Sequence, residues 1–273
     1  MWNGHKVAYV CAMFFGTRVR QKRGTKNDYS AIYMEHIAKN STCIDKIIIG
    51  CNIEPWHKVL YDDFVPRMQE YSEQIGIPIE TFHRPNTNYS YGSWNEALRS
   101  HCEDITFAFL MEDDYVPCKH GYDEELLSRY YSDSERMEKL LFCASWFKTE
   151  DRIPHAAISN GIINVPVFRD NGNEFFLTDR RGKNEGPESQ ATFLDSFSGK
   201  GLQIRDMAAE YCVPFINNIR KVTLYGNNDA HILLAPKEVG PVTISESLEK
   251  ERPPASSLIS IEAGGFEVLR GGC

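Results

Sequence analysis

No stretch of this chain approaches the ~20 consecutive apolar residues that a bilayer-spanning helix requires. Its start, with His5 and Lys6 ahead of a short apolar run, lacks the layout of a secretory signal. A soluble, cytoplasmic protein is the expectation. Positive charge is in deficit: 30 Lys and Arg stand against 38 Asp and Glu, a formal net charge of -8. That balance excludes a general nucleic-acid binder, whose affinity rests on basic side chains facing phosphates. The eight cysteines, at 11, 43, 51, 102, 118, 143, 212 and 273, include no Cys-x-x-Cys pair. Scattered through mostly apolar contexts, they read as reduced core thiols rather than a zinc site or a disulfide framework. No internal repeat divides the chain, and its 273 residues fit one large domain, or a core domain with a smaller annex.

The most informative feature that is present is Thr106-Phe-Ala-Phe-Leu-Met-Glu-Asp-Asp-Tyr-Val-Pro117, an apolar run of strand length that breaks into three consecutive carboxylates. Side chains alternate along an extended chain, so Glu112 and Asp114 fall on one side and Asp113 on the other if the strand continues through them. Three adjacent negative charges repel one another unless a cation or strong donors offset them. Hard oxygen ligands suit Mg²⁺ or Mn²⁺. A divalent-cation site is the expectation; the plain alternative is a set of acids that solvate a strand end or cap a helix.

Upstream of the acids, strand-like and helix-like segments alternate. Val7 to Phe15 is a buried strand ending at Gly16, and Asp28 opens a helix with Ala31, Met34, Ile37 and Ala38 on one face. Ile44 to Cys51 is the next strand. Leu60, Phe64, Met68, Tyr71 and Ile75 then recur helically, with Gly76 as the stop. Ile77 to Phe82 is a third strand. Trp94 to Cys102 is a helix that turns Trp94, Ala97, Leu98 and Cys102 inward, just ahead of the acid-bearing strand. This βαβαβαβ order predicts an α/β fold with a mostly parallel sheet, right-handed crossovers and helices on both faces. Ligands bind beyond the strand carboxyl ends in such sheets, where the Gly16 loop and the acids both lie.

The second half is less regular. Strands are expected over Leu140 to Phe147 and Ile158 to Phe168, the latter interrupted at Gly161, with shorter ones at Leu202 to Ile204 and Val222 to Tyr225. A helix is expected over Glu188 to Phe197. From Glu238 onward Pro253-Pro254, serines and a terminal Gly-Gly-Cys read as a loosely attached or disordered tail.

Tyr91-Gly-Ser-Trp-Asn-Glu-Ala-Leu98, the strand after it and Glu112-Asp113-Asp114 together resemble the nucleotide-sugar-dependent glycosyltransferases of the GT-A fold over roughly residues 5 to 120. In that family an Asn-containing helix precedes a strand ending in an Asp-x-Asp motif, of which Glu-Asp-Asp is a variant. The resemblance implies that Asp114 binds a divalent metal holding the donor's diphosphate. It implies that Glu112 and Asp113 act through water or on the ribose. It places the basic loop Thr17 to Lys26 beside the nucleotide, with Arg18 and Arg20 on diphosphate oxygens. A solvated basic loop is the alternative there, and the reading preferred for Lys22, Arg23 and Lys26. An inverting member needs a carboxylate general base at a downstream helix start, for which Glu188 ranks first, Glu185 second and Asp179 third. The same acids would also stabilise a helix through its dipole. A carboxyl-terminal histidine often completes the family's metal site, and His231, within Asn227-Asn-Asp-Ala-His231, is the candidate, with Asp229 and His155 behind it. Ser159-Asn160-Gly161 resembles the small-residue loop that lets an acceptor approach. Trp146 is either a sugar-stacking surface or a core aromatic.

The resemblance thus implies a GT-A glycosyltransferase using Mn²⁺ or Mg²⁺. It would move a sugar from a UDP-sugar donor to a glycan hydroxyl, with no nucleic-acid partner, in the cytoplasm (the host's, if the protein is viral). Residues 1–240 would form the catalytic domain, with 1–120 as the nucleotide-sugar half and 121–240 as the acceptor half, and 241–273 an extension or tail. Two rivals stand beside it. A Mg²⁺-dependent nucleotidyltransferase predicts a glycine-rich phosphate loop, for which Gly16 and Gly24 are sparse. A carbohydrate-binding module predicts sugar binding indifferent to nucleotide and chelator.

Overall fold

A computed structural model of the chain describes residues 1–15, 34–53, 58–113, 115–117, 120–144, 147–148, 155–156, 161–171, 174–175, 203–206, 216–218, 258–262 and 265–269. Strands β1 (Val7–Phe15), β2 (Lys46–Ile53), β3 (Ile79–Pro85) and β4 (Phe107–Glu112) form the first half of the main sheet. They are joined by β6 (Leu140–Ala144), β9 (Gly161–Asn164) and β10 (Gln203–Asp206) in the order β10-β6-β9-β4-β1-β2-β3. Every pairing is parallel except those of β9, which runs antiparallel between β4 and β6. The carboxyl ends of β1 to β4, at Phe15, Ile53, Pro85 and Glu112, therefore share one edge of the sheet.

Both faces are covered, which is why these strands read as continuous apolar runs. On one face Tyr9, Cys11, Met13, Phe107 and Phe109 pack against Met34 and Ile37 from a helix at residues 34–40 (α1). Phe64 and Met68 from α2 (Lys58–Ile75) and Leu126 and Tyr130 from α4 (Tyr122–Tyr130) cover the same face. On the other face Ala8, Val10, Ala12, Ile48 and Ala108 meet Trp94, Ala97 and Leu98 of α3 (Tyr89–Ser100) and Phe168 of α6 (Val165–Asp170). The sheet residues beneath α3 are small, and that lets the helix sit close. A Cβ on Gly50 would lie 2.8 Å from the Ser93 Cβ and 2.7 Å from the Phe82 ring.

Among the described residues the first half matches the alternation expected from sequence to within a few residues, the helix start at Asp28 and Ala31 lying outside them, and Gly76 terminates α2 with a left-handed φ of 67°. Four details differ. Ala38, expected inward, is exposed, and α1 buries the polar His36 and Asn40 beside Met34 and Ile37. The segment expected as a strand to Phe168 is β9 only to Asn164. The Asn164 side chain then caps α6 by accepting from the Val167 N–H at 3.3 Å, with Pro166 set in the first helical turn. The strand expected from Leu140 to Phe147 ends at Ala144, and Phe147–Lys148 (β7) pairs instead with His155–Ala156 (β8). Within the expected tail, Leu258–Glu262 (β12) and Gly265–Leu269 (β13) form an antiparallel hairpin. Gly161 is the first residue of β9. It pairs with Leu110 in β9, where a Cβ would strike the Phe142 ring at 2.3 Å. Among the described residues no helix is long and apolar enough to cross a membrane.

Candidate functional site

The acidic motif leaves the sheet at the shared carboxyl edge. Glu112 is the last residue of β4, in register with Ala12 of β1, and Asp113 begins the turn beyond it. The two carboxylates point to different supports. Glu112 is half-buried and accepts a hydrogen bond from the Ser90 hydroxyl at 2.7 Å, on the α3 side. Asp113 is 5% exposed and accepts from the Phe14 N–H at 3.1 Å, near the end of β1. The alternation expected for the pair is thus present, although regular strand stops at Glu112. Carboxylates are the hard donors that Mg²⁺ and Mn²⁺ take, so the donor chemistry at this strand end fits a divalent cation. Among the described residues no group of three or more His, Cys, Asp or Glu is assembled. A full ligand set therefore requires Asp114 or other residues outside them.

Polar contacts fix the start of α3 against this edge. Arg84, near the end of β3, donates from Nη1 to the Asn52 Oδ1 and the Thr87 carbonyl, each at 2.7 Å, and from Nη2 to the Thr87 Oγ1 at 3.0 Å. Its Nε meets Glu96 Oε2 at 3.1 Å. Asn52, at the end of β2, passes the restraint on by donating to the Tyr89 carbonyl at 3.2 Å. Farther along α3, the buried Trp94 indole donates to the Met111 carbonyl at 3.3 Å, one residue before Glu112. The guanidinium fits because residue 92 is glycine: a Cβ there would lie 2.4 Å from Nη1 and from the Thr87 carbonyl oxygen. Gly92→Ala is therefore expected to displace Arg84 and lower stability by about 1–3 kcal/mol, the cost of overpacking a close-fitted site. A melting temperature within a degree of the parent's would rule out that tight fit.

The strand after the acids is tied down as firmly. Tyr115–Pro117 (β5) pairs antiparallel with Ile216–Asn218 (β11), which brings the second half of the chain beside the motif. The Pro117 carbonyl accepts from Asn40 Nδ2 at 2.9 Å and from His36 Nδ1 at 3.0 Å. Burial holds the His36 pKa below the ordinary histidine value, so at neutral pH the ring is uncharged and keeps its proton on Nδ1 toward that carbonyl. Behind α1, the fully buried Asp123 of α4 gathers the following turn. Its carboxylate accepts from the Thr42 N–H at 2.9 Å, the Cys43 N–H at 2.8 Å, the Thr42 hydroxyl at 3.1 Å and the Cys43 thiol at 3.2 Å.

On its far side α3 holds the segment that leads into residues 176–190. Asn95 donates from Nδ2 to the Phe175 carbonyl at 2.5 Å and accepts the Phe175 N–H at 2.7 Å. Phe175 is buried against Trp94 and Phe168. The Asn of the motif is thus a bidentate backbone clasp.

No protein-family model matches the chain, and no curated protein matches its sequence. Solved structures match it by fold. A cytidylyltransferase from Leptospira borgpetersenii superposes with a TM-score of 0.50, at 12% identity, over 90% of this chain and 95% of its own. Mouse xyloside xylosyltransferase 1 matches with a TM-score of 0.41 at 7% identity, over 73% of this chain and 85% of its own. A Drosophila β1,4-galactosyltransferase 7, solved with manganese, UDP-Gal and xylobiose, matches with a TM-score of 0.36 at 12% identity, over 74% of this chain and 64% of its own. At such identities the likeness is one of fold. The chain has an α/β architecture with a mostly parallel central sheet and helices, the fold it shares with that cytidylyltransferase.

Of the residues singled out from sequence, Glu112 and Asp113 are brought to the carboxyl edge. Asp114 lies between Asp113 and β5, outside the described residues, as do Arg18, Arg20, Lys22, Arg23, Lys26, Trp146, Ser159, Asn160, Asp179, Glu185, Glu188, Asp229 and His231. The helix expected over Glu188 to Phe197 and the strand over Val222 to Tyr225 also lie outside them. His155 falls in β8, opposite Lys148. Ser90, Asn52, Arg84, His36 and Asn40 were not anticipated. Asn52 and Arg84 did carry a signal, since each places a polar side chain near the carboxyl end of a sheet strand.

Proposed function

We propose that the chain is a metal-dependent glycosyltransferase that moves a sugar from a UDP-sugar to a hydroxyl of a glycan acceptor. The observation that carries this reading is the delivery of Glu112 and Asp113 to the carboxyl edge of a mostly parallel sheet, each oriented by its own hydrogen bond. Breaking the bond between the anomeric carbon and a diphosphate leaves negative charge on the leaving group. Asp114, with Glu112 and Asp113 near it and His231 as a further candidate, would hold Mn²⁺ or Mg²⁺, which supplies the neutralising positive charge. Arg18 and Arg20 would add charge-assisted hydrogen bonds to the same oxygens. Glu188, or else Glu185, would take the proton from the acceptor hydroxyl as it attacks, giving inversion at the anomeric carbon. The Asn95 clasp on Phe175 fits this division of labour, because it fixes one end of the segment carrying those carboxylates.

A second reading, a Mg²⁺-dependent nucleotidyltransferase, is favoured by the extent of the cytidylyltransferase likeness. The two separate by nucleotide. Calorimetric titration with UDP, GDP, CMP and CTP, each with Mn²⁺ and again with excess chelator, is expected to give metal-dependent binding of UDP. Metal-dependent binding of CTP with pyrophosphate release would select the nucleotidyltransferase. Binding of none would overturn both.

A further inference from the structure

We propose that His36 and Asn40 are positioning residues for the cation-binding strand end, an inference that rests on the metal-dependent reading above. The two lie one turn apart on the same face of α1, and both are buried, His36 at 7% and Asn40 at 5% exposure. Burying an imidazole and an amide carries a desolvation cost that leucine at either place would not, unless each finds a partner. They find the same one. The His36 Nδ1–H and the Asn40 amide donate to the Pro117 carbonyl at 3.0 and 2.9 Å. One donor would satisfy that oxygen. Two occupy both of its lone pairs and fix it in direction as well as distance.

The doubled donor holds the exit of the acidic motif. Pro117 closes β5, which starts at Tyr115 with Asp114 alone between it and Asp113. Ahead of β5 the Asp113 carboxylate accepts the Phe14 N–H from β1, and one side of β5 is paired with β11. Beyond β5 the chain stays on the same helix. The His120 ring donates to the Lys39 carbonyl at 2.9 Å, and the Gly121 N–H to the Asn40 carbonyl at 2.7 Å. The backbone that carries the acids is therefore anchored before and after them, and buried polar contacts that are fully satisfied rigidify what they join. A cation binds more tightly to carboxylates already in place, and groups that only orient metal ligands change affinity by roughly 10–100-fold when lost. His36 and Asn40 act at that remove, on the strand and not on the ion. Leucines would fill similar space and leave the Pro117 carbonyl without its side-chain donors.

The test counts free Mn²⁺ by its paramagnetic resonance signal as the ion is titrated into the parent, His36→Leu, Asn40→Leu, His36→Asn and Asp123→Asn, with a thermal melt of each. Both leucine variants are expected to weaken Mn²⁺ binding about tenfold, the lower end of the range for lost orienting groups. His36→Asn keeps an N–H at the place of Nδ1 and should recover most of that affinity. Asp123→Asn disturbs the turn after α1, away from Pro117, and should lower the melting temperature with Mn²⁺ affinity unchanged. If a leucine variant does not fold, Asn40→Ser carries the same expectation, because it leaves room for a water that satisfies the carbonyl without fixing its direction. Parent-like Mn²⁺ affinity in the folded His36 and Asn40 variants, or an equal loss in Asp123→Asn, would overturn the positioning role alone. A parent chain that binds no Mn²⁺ would overturn the metal-dependent reading together with it.

Discussion

Asp114→Asn should abolish most metal-dependent transfer, by about a hundredfold or more, while leaving the fold intact. The substitution keeps the shape of the side chain but removes the charge that a hard divalent cation requires. Even outer residues that only orient metal ligands change affinity or activity by roughly 10–100-fold when lost, so a direct ligand should exceed that range. Asp113→Asn is the informative comparison. Asp113 is nearly buried and accepts the Phe14 N–H, so its replacement should cost stability, visible in a thermal melt, as well as activity. Initial rates at a series of Mn²⁺ concentrations check both. If Asp114→Asn keeps the parent's rate and Mn²⁺ dependence, the metal is held elsewhere and the strand-end acids are structural.

Asp123→Ala should be the most destabilising single change among the described side chains away from the motif, at about 3–5 kcal/mol. The carboxylate is fully buried and is the acceptor for two N–H groups, a hydroxyl and a thiol contributed by Thr42 and Cys43. Alanine leaves those donors without an acceptor in a place water does not reach, and each such loss costs about 1–3 kcal/mol. Asp123→Asn should fall between parent and Ala, because its amide can still accept through oxygen but turns an NH₂ toward the same donors. A chemical signature accompanies the loss. Burial, followed by the Asp123 carboxylate, pushes the Cys43 thiol far above its ordinary pKa, so the parent thiol is unreactive. Urea unfolding measures the stability, and the rate of Cys43 labelling by a disulfide reagent reports the local opening. A loss under 1 kcal/mol in Asp123→Ala would show that the turn at Thr42 and Cys43 does not depend on this brace.

The sequence by itself determined the strands and helices whose neighbours are close in the chain. Val7 to Phe15 and Phe107 to Met111 are apolar on both sides because both faces of the sheet are covered. The three- and four-residue recurrence of Phe64, Met68 and Tyr71 makes α2 helical wherever it packs. The sequence also placed Glu112 and Asp113 at a strand's carboxyl end, since so abrupt a change from apolar to acidic residues marks where the chain leaves a buried sheet.

Tertiary structure alone decided which polar groups are buried and which apolar ones are not. His36 and Asn40 turn inward, and Ala38 outward, because the Pro117 carbonyl, about eighty residues later in the chain, needs donors on that side of α1. Asp123 reads as one more acid in a helix's first turn, and is buried only because the Thr42–Cys43 backbone presents its N–H groups there. The antiparallel insertion of β9 between β4 and β6 leaves no local trace beyond Gly161, whose missing side chain makes room for Phe142. Tyr89 has the composition of a core residue and stands at the surface, because Asn52 and Ser90 fix the backbone around it. Hydrophobic periodicity is a property of adjacent residues and survives in the sequence. Hydrogen-bond satisfaction is a property of pairs distant along the chain, and only the folded arrangement sets it.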